Sequence, residues 1–107
     1  ITTPLDSFVR KEEPAFRWRD TGARIRPAVG GAAHMLNVTS LTWMDASRAV
    51  GPGGTTWTHL VAVVIPAVLV YTNVSTALLT GMCNTDAPPD AGDEYLEAAA
   101  LVARRTG

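Results

Sequence analysis

Residues 57–84, WTHLVAVVIPAVLVYTNVSTALLTGMCN, constrain the fold of this chain more than any other stretch. Leu60–Ile65 is an unbroken apolar run rich in β-branched residues, as expected of a strand covered on both faces. Pro66 stops it, because proline cannot donate to a sheet ladder. A second apolar signal, Ser75–Thr80, runs into Gly81-Met82-Cys83-Asn84, and an acidic helix signal follows. Strand, glycine turn and helix in that order predict an α/β architecture that aims backbone N–H groups at a ligand.

The longest apolar run, Leu60–Tyr71, is about 12 residues and contains Pro66, whereas a bilayer-spanning helix needs about 20. No membrane span is therefore expected. The chain has 107 residues and a net charge of −1, which argues against a dedicated nucleic-acid binder. Its charges are not evenly spread. Arg10, Lys11, Arg17, Arg19, Arg24 and Arg26 cluster early, with Glu12, Glu13 and Asp20 among them; Asp86, Asp90, Asp93, Glu94 and Glu97 cluster late. Solvated or mutually paired surface is the ordinary reading of such clusters, and an anion-binding arm is the sharper one.

Residues 1–20 read as an extended arm. Within it Leu5–Arg10 is a short helical possibility that Thr3 or Asp6 could cap. Phe16 and Trp18 alternate with Arg17 and Arg19, which is strand periodicity with the aromatics inward. Thr21–Gly31 reads as a turn, His34–Trp43 as a strand, and 46–56 as a loop broken at Gly51-Pro52-Gly53-Gly54. Trp57–Ile65 and Thr76–Thr80 complete three strands within 34–80. Asp90–Arg105 is the predicted first helix, with Asp90 as cap and an apolar stripe of Tyr95, Ala98, Ala99 and Val102. The order is β-β-β-α. A parallel strand normally follows such a helix to complete a right-handed crossover. The chain is accordingly expected to be the N-terminal fragment, 1–107, of a larger single α/β domain.

Few residues point to chemistry. His34 and His59 are the only histidines and lack metal-ligand spacing; no metal site and no cofactor are expected. His59 reads as a hydrogen-bonded structural histidine or, less simply, as a catalytic base. No G-x-S-x-G, H-E-x-x-H, C-x-x-C or P-loop motif occurs. Cys83 is the sole cysteine. A nearby helix N-terminus would make it nucleophilic; otherwise it is a free thiol or the partner of a cysteine elsewhere in the protein. Trp18, Trp43 and Trp57 are expected to anchor the core rather than to stack on a ligand. Asn37-Val38-Thr39 and Asn73-Val74-Ser75 are N-glycosylation sequons. Together with a start at Ile1 they lean toward a processed, secreted glycoprotein.

Several pieces recur in a recognisable order: Thr3-Pro4-Leu5-Asp6 with Phe8-Val9, then Pro14-Ala15-Phe16-Arg17-Trp18, and Thr39-Ser40-Leu41-Thr42-Trp43. Trp57-Thr58-His59-Leu60 leads to Pro66. Thr76-Ala77-Leu78-Leu79-Thr80-Gly81 with Asn84 comes next, then a helix from Asp93 ending in Thr106-Gly107. In this order the chain resembles the N-terminal part of the PhoPQ-activated pathogenicity-related protein family, which includes a secreted autocrine proliferation repressor. The resemblance implies an α/β-hydrolase-like fold of several hundred residues. It would make this chain the N-terminal β-β-β-α portion, with the rest of the same protein as its covering layer. It further implies that Gly81, Met82, Cys83 and Asn84 form the loop where α/β-hydrolases carry an oxyanion-hole donor. The family pattern there is Gly-Gly-x-Asn. Here Met82 replaces the second glycine, and methionine does not reach positive φ as cheaply. A binding or signalling role toward other extracellular proteins is the expectation. The alternatives are an ester or peptide hydrolase whose triad lies downstream, and a structural part of an extracellular assembly.

Overall fold

The computed structural model describes residues 2–48, 54–81 and 87–107. A short helix, α1 (Pro4–Val9), precedes three strands, β1 (Arg17–Ile25), β2 (Ala32–Thr42) and β3 (Thr56–Ile65), and a second helix, α2 (Glu94–Thr106), closes the order. The strands form one antiparallel sheet in the order β1-β2-β3. The chain is thus mixed α/β.

Local chemistry explains most of these limits. Thr3 caps α1: its hydroxyl accepts from the Asp6 N–H at 3.2 Å, while the Asp6 carboxylate accepts from the Thr3 N–H at 2.9 Å. That reciprocal pair satisfies donors that a helix start leaves open, and Pro4 fits the first turn, where no N–H is needed. The supposed arm therefore holds a helix and the start of a strand. Phe8 of α1 meets Trp43, just past β2, edge to face at 5.7 Å.

β1 is longer than its periodicity predicted. Thr21–Ile25 continues the strand instead of turning, across a register shift between Asp20 and Arg24. Gly22 takes φ +82° in this bulge, and its N–H donates to Asp20 Oδ1 at 2.8 Å. The turn to β2 is confined to 26–31, where the Gly30 N–H donates to the Pro27 carbonyl. Gly31 is required there. Its φ is +86°, and a Cβ would lie 2.5 Å from the Ile65 carbonyl oxygen.

Three expectations are overturned. Thr76–Thr80 is not a strand: 66–81 contains no helix or strand, and Leu79 is 92% exposed. An extended segment needs a neighbour for its N–H and C=O groups, and none stands beside it among the described residues. Trp18 and Trp57 do not anchor a core. Trp18 is 63% exposed, because the face it shares with Val38 and His59 is not covered. The apolar stripe of α2 is also rotated: Leu96 and Ala100 are buried, whereas Tyr95 and Val102 are exposed. The cap is Asp93, whose carboxylate accepts from the Leu96 N–H at 2.9 Å. Asp90 instead shapes the preceding bend, accepting from the N–H groups of Gly92 and Asp93.

Helix α2 packs on β3. Its Glu97 reaches across to accept the Ala28 N–H in the β1–β2 turn. Among the described residues the buried apolar ones are Pro27, Ala33, Met35, Leu96 and Ala100, joined by Thr39. The radius of gyration is 16.2 Å, against about 13 Å for a compact chain of this length.

Candidate functional site

The sequence singled out the loop Gly81–Asn84. Gly81 lies exposed at the end of the irregular stretch, and Met82, Cys83 and Asn84 lie outside the described residues, as do 49–53 of the broken loop. The two sequon asparagines are described and differ sharply. Asn37 sits mid-way along β2, in register with Arg19 on β1 and Leu60 on β3. Asn73 sits in a bend of the irregular stretch, with Val74 and Ser75 exposed beside it.

The described polar pair closest to reactive geometry is Ser40 and His59. Ser40 is the extra residue at the register shift between Thr39 and Leu41. Bulges re-aim side chains, and here the Ser40 hydroxyl lies 2.8 Å from His59 Nε2. The Ser40 hydroxyl also donates to the Trp57 carbonyl at 3.3 Å. A hydroxyl has one hydrogen, so donation to Trp57 leaves Oγ to accept from an Nε2–H. In that arrangement the histidine holds the serine instead of deprotonating it. No carboxylate orients the ring among the described residues, and a nucleophile–base pair needs such a third group. His59 is thus hydrogen-bonded to Ser40 at the bulge. The pair was not visible in the sequence, since a one-residue bulge leaves no periodic signature.

The charged groups do structural work. Asp20 and Arg24 pair at 2.7 Å across the β1 bulge. The Arg24 hydrogen bond, aided by the Gly22 N–H, holds the Asp20 carboxyl down at about 2. Asp6 is lowered by the Thr3 hydroxyl and N–H, and Asp45 by the hydroxyl and N–H of Ser47. Among the described residues no group of three His, Cys, Asp or Glu side chains is placed to hold a metal ion.

Two shallow clefts share Pro66 and Ala67. One, of about 250 Å³, is bordered by Val29, Gly30, Val68 and Arg104; the other, of about 300 Å³, by Arg26, Gly31 and His34. Both are open depressions at the end of β3, without converging polar groups of the kind a ligand site uses.

What fold and site define together is a mixed α/β unit: an antiparallel three-stranded meander with two short helices. No helix among the described residues is long and apolar enough to cross a membrane. No family model, no curated protein and no solved structure matches the chain.

Proposed function

We propose that this chain is the N-terminal β-β-β-α portion of a secreted α/β-hydrolase-like protein of the PhoPQ-activated pathogenicity-related family, acting as an extracellular binding or signalling protein. The observation that carries this reading is the free side of β3. Leu60–Ile65 has no strand on its outer side among the described residues, and Leu60, Val61, Val63 and Ile65 are all exposed. Such an edge draws another strand to it. The exposed run Thr76–Thr80 has the same character. The rest of the same protein supplies the covering layer, including the parallel strand that follows α2.

Binding is favoured over turnover by two features. Met82 stands where the resembled pattern has a glycine, and Ser40 and His59 have no orienting carboxylate among the described residues. The test is to treat the complete protein with a serine-reactive phosphonate probe and with ester and peptide panels. The binding reading expects neither labelling nor turnover. Labelling that disappears when one downstream serine is replaced would establish the hydrolase instead.

A further inference from the structure

We infer that Asn73 is the N-glycan acceptor of this protein and that Asn37, despite its equally good sequon, is not. The inference rests on the proposal that the protein is secreted. The chemistry is a glycosyl transfer from a lipid diphosphate-linked oligosaccharide. The Asn73 amide nitrogen bonds to the sugar C1, the bond from C1 to the diphosphate oxygen breaks, and the lipid diphosphate leaves with the electron pair. The amide gives up one proton.

A transferase must reach both the asparagine amide and the hydroxyl two residues on, with the backbone between them free to adapt. Asn73, Val74 and Ser75 are all exposed, and the stretch 66–81 is in neither helix nor strand. Its two fixed points lie before the sequon: the Val70 and Tyr71 N–H groups donate to the Gly107 carbonyl at 3.2 and 3.1 Å. The sequon therefore stays open after the sheet has formed. At Asn37 only the amide is accessible. Thr39 is 5% exposed, and the triplet is laddered to Arg17–Arg19 on one side and Thr58–Leu60 on the other.

The test uses the complete protein secreted from a eukaryotic host, with Asn73→Gln, Ser75→Ala and Asn37→Gln variants. A glycan-removing amidase converts each occupied asparagine to aspartate, which peptide mass reads directly. One glycan is expected, lost fully in Asn73→Gln and in Ser75→Ala and retained in Asn37→Gln. Ser75→Ala keeps the asparagine and changes only an exposed hydroxyl, so loss in both variants cannot be a folding failure. Persistence of a glycan in Asn73→Gln, its loss in Asn37→Gln, or an unmodified parent protein overturns the inference.

Discussion

The two edges of the sheet are built to opposite rules. β1 carries Arg17, Arg19, Asp20 and Arg24, and is kinked by a bulge that an ion pair and Gly22 hold in place. Charge and bulging are the means by which proteins keep an edge strand from recruiting another. β3 has neither: from Thr56 to Ile65 it carries no acidic residue, lysine or arginine, and its apolar residues are exposed on both faces. One edge is finished against water and the other is prepared for a strand. The contrast teaches that β1 is guarded against pairing with a further strand and that β3 is not.

The largest test of this contrast is folding itself. With β3 uncovered and six residues forming the described buried set, purified 1–107 should show no cooperative thermal transition by calorimetry. A sharp transition would mean that β3 is a tolerated edge after all. A matched pair of substitutions is the next test. Val63→Lys should destabilise the complete protein by about 3 kcal/mol, the cost of placing an unpaired charge where a strand packs. Arg19→Lys on β1 should stay within about 0.5 kcal/mol. Equal effects in denaturant titrations would dissolve the distinction between the edges.

Gly31→Ala addresses the junction between the start of β2 and the end of β3. Positive φ and a Cβ only 2.5 Å from the Ile65 carbonyl oxygen should cost the complete protein about 2 kcal/mol, seen as a lowered midpoint in urea. The smallest effect lies on the guarded edge. The Asp20 carboxyl falls to about 2 from 3.8, so its folded value is depressed. Its stabilisation is present above the unfolded value and is lost as pH falls from about 4 toward 2. Asp20 is solvent-exposed, so the loss is small. Asp20→Asn should flatten that part of the acid unfolding profile without moving stability at neutral pH by more than a surface pair contributes.

Legibility in the sequence followed the range of the interaction. The α1 cap was readable because Thr3 and Asp6 are three residues apart. The strand over 57–65 was readable from its β-branched run and Pro66, and the existence of the last helix from its acidic start and basic end. Reach failed in three places. The bulge carrying β1 through Thr21–Ile25 depends on Asp20 answering Gly22 and Arg24, which breaks the alternation that marks a strand. The rotation of α2 puts Leu96 and Ala100 inward because β3 lies on that side, and apolar residues nearly all round that helix could not choose a face. Thr76–Thr80 has strand chemistry but no partner to ladder with. Of the candidate site, the sequons were legible and their different accessibility was not.

By itself, then, the sequence determined where several local elements begin or stop: Thr3 and Pro4 opening a helix, Pro66 ending a strand, Gly107 ending another helix. Caps, prolines and β-branched runs act within a few residues and need no other part of the chain. The tertiary structure alone decided which face of α2 is buried, that Ser40 and His59 meet, and that Asn37 is laddered while Asn73 is open. Those outcomes depend on which strands lie side by side, and local propensity carries no information about neighbours distant in the chain.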